Sequence, residues 1–127
     1  MTAGERLRVV VAGPEGRDDP RAVALARALR DSGAEVVLTG EVASAGRLAA
    51  TVVQEDADAL GVAGARPGLL GEVLARLSAA GVDDVTAFVL GDGDDGGGDL
   101  PADVRRFPDG TTPDDVVAAL RRLSGGL

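Results

Sequence analysis

The chain has 127 residues, enough for one domain with a single hydrophobic core that needs neither disulfides nor a structural metal. It contains no cysteine, histidine or lysine, which excludes thiolate and imidazole chemistry, Schiff-base catalysis and a P-loop lysine. The formal net charge of -8, with two Phe and no Tyr or Trp, offers neither the basic footprint nor the stacking aromatics that nucleic-acid binding uses.

The amino terminus, Met1 to Arg8, has no charged-then-apolar signal pattern. No apolar run approaches membrane-spanning length, so a cytoplasmic protein without membrane contact is expected.

Leu7 to Ala12 is a short β-branched run of the kind buried on both faces in a parallel sheet. It breaks into Gly13-Pro14-Glu15-Gly16-Arg17-Asp18-Asp19. Ligands of open α/β sheets sit beyond the carboxyl ends of the strands, so this first strand-to-helix loop is the expected functional edge. Pro20 suits a first helical turn, Ala22, Leu25, Ala26 and Leu29 repeat at helical spacing, and Ser32-Gly33 ends that helix. Glu35 to Leu38 reads as a second strand. Ser44 caps a helix with Ala45, Leu48, Ala49, Val52 and Val53 as its apolar stripe, its first turn weakened by Gly46.

Ala59 to Ala63 forms a short, small-sided third strand. Pro67 starts the next helix, whose Leu70, Val73, Leu74 and Leu77 face inward before Gly81 ends it. Val85 to Leu90 is the clearest strand after the first. Gly91 to Asp99 has nothing to bury and high backbone entropy, which predicts a loop. A fifth strand is expected at about Val104 to Phe107. Thr112-Pro113-Asp114-Asp115 then combines an N-cap, a proline at the first helical position and acids in the first turn. Val116, Val117, Leu120 and Leu123 give the last apolar face, and Arg121 and Arg122 suit the carboxyl end of its dipole. Five strands alternating with about four helices predict a single α/β domain with its core at residues 7–123. The expected fold is a flavodoxin-like (Rossmann-like) five-stranded parallel sheet with helices on both faces.

The polar residues admit few chemical roles. Asp18 and Asp19 precede Pro20 as helix-capping acids favoured by the dipole. Gly91-Asp92-Gly93-Asp94-Asp95-Gly96 spells Gly-x-Gly-x-x-Gly, but no amphipathic helix follows and its acids would repel a pyrophosphate. Asp92, Asp94, Gly97 and Asp103 match positions of a calcium loop, yet Gly96 takes a ligand position and Asp103 stands where Glu is wanted. A solvated acidic loop describes the stretch better. Ser32, Ser44 and Ser78 sit at helix ends with no histidine to activate them. A phosphoacceptor of the response-regulator type is also disfavoured, because the first strand ends in Ala12-Gly13 instead of paired acids and lysine is absent.

Three runs carry a family resemblance: Arg8 to Pro14, Ala26 to Gly40, and Gln54 to Gly61. Together with Phe107-Pro108-Asp109-Gly110-Thr111-Thr112 they resemble the cobalamin-binding domain of methylmalonyl-CoA mutase and related acyl-CoA mutases, over about Leu7 to Leu123. In that family an Asp-x-His-x-x-Gly loop supplies the lower cobalt ligand. Here Asp18 falls near the histidine position, Gly16 near the orienting aspartate and Arg21 near the glycine. The family's Ser-x-Leu segment corresponds to Ala63-Gly64-Ala65, and its glycine pair or triplet to Gly91-Asp92-Gly93. The resemblance therefore implies a cofactor site at Gly13, Gly16, Asp18, Asp19, Ala63, Gly64, Ala65, Gly91 and Gly93, with no catalytic or metal-ligating residue.

It implies a choice between two functions. One is a non-catalytic domain with a degenerate cobalamin site that binds a protein partner, either a large mutase-like subunit or further copies of itself. The other is a domain that still holds cobalamin without a lower histidine as part of a mutase or isomerase. Motif loss favours the first, and neither is an enzyme alone. An unrelated small ligand at the same strand edge is a third reading.

Overall fold

The computed structural model describes residues 7–13, 19–39, 44–63, 68–90, 104–108 and 110–123. Five strands are β1 (Arg8–Ala12), β2 (Glu35–Leu38), β3 (Ala59–Ala63), β4 (Thr86–Leu90) and β5 (Arg105–Phe107). Four helices are α1 (Pro20–Asp31), α2 (Ala45–Gln54), α3 (Leu69–Ala79) and α4 (Pro113–Leu123). All strand pairs are parallel and the sheet order is β2-β1-β3-β4-β5, the flavodoxin-like arrangement expected from the sequence.

The period-two alternation of side chains divides the core between the two faces of the sheet. Val10, Ala12, Leu60, Val62, Ala87 and Val89 point toward α2 and α3, meeting Leu48, Val52, Leu70, Val73 and Leu77. Val9, Val11, Ala59 and Phe88 point the other way, toward Leu25 and Leu29 of α1 and Val116 and Leu120 of α4. The three central strands β1, β3 and β4 are thus apolar on both sides, as a two-layered helical cover requires.

Turn chemistry fixes the helix ends. Ser44 Oγ accepts from the Arg47 amide at 3.2 Å, and Thr112 Oγ1 accepts from the Asp115 amide at 3.1 Å, so both expected caps form. Gly33 (φ 100°) and Gly81 (φ 80°) follow α1 and α3 in the left-handed conformation that stops a helix. Helix α3 begins at Leu69, later than expected, because Gly68 has φ 83° and cannot belong to it. Val53 is 49% exposed instead of completing the α2 stripe, since Ala45, Leu48, Ala49 and Val52 already fill the width that faces the sheet.

Helices α1 and α4 are tied at the amino-terminal end of the sheet. Arg121 donates a guanidinium hydrogen bond to the carbonyl of Ser32, the C-cap of α1. The contact satisfies an orphan carbonyl and sets a positive charge at the negative end of the α1 dipole. Arg121→Ala is expected to lower stability by about 1 kcal/mol, measured by urea denaturation with an unchanged m-value.

At the same end Arg8 joins three segments. Its amide donates to Asp58 Oδ2 at 2.9 Å, its Nε to Glu35 at 3.0 Å, and one guanidinium nitrogen to the Glu55 carbonyl at 2.9 Å. The hydrogen bond and negative charge of Glu35 raise the Arg8 pKa. This pair is solvent-exposed and stabilises little by itself. Among the described residues, no helix is long and apolar enough to cross a membrane.

Candidate functional site at the strand ends

The carboxyl ends of β1, β3, β4 and β5 form the edge where this fold places ligands. Asp19, immediately before α1, is 3% exposed. Its backbone is extended (φ -69°, ψ 117°), and Oδ1 accepts from the Arg21 amide at 3.0 Å and the Ala22 amide at 3.4 Å. Asp19 is therefore the N-cap of α1, the structural role its position before Pro20 suggested. The Arg21 side chain adds a charge partner 3.8 Å from the same oxygen.

The Asp19 side chain rests on Gly13. A β-carbon at Gly13 would lie 2.8 Å from Asp19 Oδ2 and 2.9 Å from its Cβ. The space directly beyond β1 is thus filled by a capping carboxylate lying on bare backbone. Ala63 closes β3 with a fully buried methyl group. Farther along, Leu90 and Phe107 end β4 and β5, and Phe107 meets Phe88 edge-on at 5.9 Å between ring centres. Thr39, just after β2, has a buried hydroxyl without a hydrogen-bond partner among the described residues, although its amide donates to the Val11 carbonyl.

Of the sequence-derived site residues, the structure brings Gly13 and Asp19 into contact and sets Ala63 two strands along from Glu35–Leu38, beyond β1. Gly16, Asp18, Gly64, Ala65, Gly91 and Gly93 lie outside the described residues, as do Asp92, Asp94, Gly97 and Asp103 of the calcium pattern. Among the described residues, no group of three or more acids is placed to hold a metal ion.

A feature missed in the sequence lies at the opposite end of the sheet. A cleft of about 450 Å³ opens between the carboxyl-terminal half of α3, the start of β4 and Val104. Five partly buried apolar residues pack on the α2–α3 side of the core, and four of them, Leu74, Val82, Val85 and Val104, line this cleft. They are 30 residues apart at the extremes and belong to three segments, so no local pattern marks them.

No family model matches the chain, and no curated protein matches it. Among solved structures, the fold is similar to the signal receiver domain of the putative response regulator NarL from Mycobacterium tuberculosis. The two superpose with a TM-score of 0.65 at 20% sequence identity, over 97% of this chain and 99% of that one.

These findings overturn the resemblance to cobalamin-binding domains of acyl-CoA mutases. The mutase and isomerase readings fall with it, both the degenerate subunit and the domain that retains cobalamin, as does the large mutase-like partner. The physical reason is that the runs carrying the resemblance are framework. Arg8 to Pro14, Ala26 to Gly40 and Gln54 to Gly61 spell β1, the α1–β2 unit and the entry to β3, whose patterning any flavodoxin-like sheet imposes. The residues that specify the cofactor in that family, an Asp-x-His-x-x-Gly loop and a Ser-x-Leu segment, are absent from those runs.

Proposed function

We propose that this chain is a non-enzymatic, receiver-like module that acts by binding a protein partner. The observation that carries the reading is the chemistry of the strand ends. A phosphoacceptor site needs a free carboxylate nucleophile, further acids to hold a divalent cation, and a cation to balance developing charge. Here β1 runs into Gly13, β3 ends in Ala63 and β5 ends in Phe107, while Asp19 is committed to capping α1. Lysine is absent from the whole chain.

In this reading Gly13, Asp19 and Ala63 shape the strand-end edge as scaffold. A second copy of the chain is an admissible partner. A cytoplasmic location belongs to the same proposal, in keeping with a chain that carries no cysteine.

Acetyl phosphate with magnesium supplies the test. The intact mass is expected to remain that of the unmodified chain, and partner capture from native extract is expected to be the same before and after treatment. A phosphoryl adduct on an aspartate, or capture that depends on treatment, would remove the non-enzymatic reading.

A further inference from the structure

The cleft at the amino-terminal end of the sheet combines two properties that the strand-end edge lacks. Its floor is apolar surface left half-covered, formed by Leu74, Val82, Val85 and Val104 over the buried Leu77 and Ala87. Its rim carries two adjacent exposed carboxylates, Asp83 and Asp84, in the turn that leads into β4. Ser78 and Thr86 are the other polar residues of the described lining, and no basic side chain belongs to it.

That distribution selects an occupant. An apolar floor favours aliphatic side chains, and paired carboxylates at the rim favour Arg or Lys beside them. The chain's own charge of -8 adds a long-range bias toward a basic partner and against an acidic one. A lone small cation would leave the apolar floor wet, whereas a short amphipathic segment satisfies floor and rim together. We infer that the cleft is the docking site for a basic amphipathic segment of a partner protein. Two or more apolar side chains seat on Leu74, Val82, Val85 and Val104, and flanking Arg or Lys residues meet Asp83 and Asp84. This inference rests on the partner-binding function proposed above and names its surface and the chemistry of its ligand.

Selection of a random twelve-residue peptide library on the immobilised full chain tests it. Enriched peptides are expected to carry apolar residues at helical or alternating spacing together with Arg or Lys. Their amide-shift footprint on the isotope-labelled chain is expected at Val82, Val85, Thr86 and Val104. The double variant Asp83→Asn/Asp84→Asn changes only exposed side chains and is expected to weaken the peptides about 10-fold, more strongly at low salt. Leu74→Glu should abolish binding, and circular dichroism shows whether that variant is folded.

Enrichment of neutral or acidic peptides, a footprint elsewhere, or affinity unchanged in the Asp83/Asp84 variant would each overturn the docking site. The functional reading fails separately. A partner captured equally by the wild-type chain and by the Asp83/Asp84 variant removes the cleft and leaves partner binding standing, whereas a folded chain that crosslinks to no protein in native extract removes partner binding itself.

Discussion

Gly61→Ala is expected to destabilise the protein by about 3 kcal/mol, lowering the thermal midpoint by about 10 °C. Gly61 sits in the middle of β3, directly beside Phe88 of β4 in the parallel register. The Phe88 ring lies across it, so a β-carbon at position 61 would fall 2.2 Å from Cζ and 2.4 Å from Cε2. Such an overlap requires the ring to move, and Phe88 is fully buried and held edge-on against Phe107. The backbone of Gly61 has no positive φ, so the cost is one of volume and owes nothing to the strand conformation.

The conflict also identifies its remedy. The nearest atoms, Cζ and both Cε, are those that leucine lacks. Phe88→Leu alone is expected to cost about 1 to 2 kcal/mol through lost packing. The double variant should be more stable than the sum of the two single costs, by about 1 kcal/mol or more, because the residues share one space. Additive costs measured by chemical denaturation would show that Gly61 matters for another reason.

The second large effect lies in the first loop. Gly13→Ala is expected to cost about 2 kcal/mol by pushing the Asp19 carboxylate from its seat and loosening the α1 cap. The clash involves Asp19 Oδ2, Cγ and Cβ, within 3.0 Å of the added carbon, so rotation of the carboxylate alone does not relieve it. Asp19→Gly removes all three atoms while keeping a residue tolerated at an N-cap, and should cost only a few tenths of a kcal/mol. In the Asp19→Gly background, Gly13→Ala is expected to become almost neutral. An undiminished cost there would place the role of Gly13 outside its contact with Asp19.

These two glycines show what the sequence could and could not say. The fold was legible because β-branched runs, helical spacing and caps such as Ser44 and Thr112 are local signals that the tertiary structure reinforces. Asp19 was legible as a cap for the same reason, standing one residue before Pro20. Gly61 carried no such signal, since its role depends on a ring 27 positions away brought alongside by the β3–β4 pairing. The cleft was hidden likewise, being assembled from α3, the turn before β4 and the entry to β5.

The family resemblance failed for the opposite reason. Its quoted runs were well patterned, but they recorded the demands of a parallel sheet with helices on both faces, which unrelated chemistries share. The informative residues were the short strand-end positions: Gly13, Ala63 and Phe107 supply backbone, a methyl group and a ring where chemistry would need acids and cations.

An amide-shift titration of the isotope-labelled chain with magnesium and beryllium trifluoride, an analogue of an aspartyl phosphoryl group, tests the chemistry of the strand ends most directly. The strand-end reading predicts no saturable shift at Gly13, Asp19, Thr39 or Ala63 up to millimolar concentrations. Saturable shifts centred on those residues would reveal a working phosphoacceptor site and contradict a module that acts by partner binding alone.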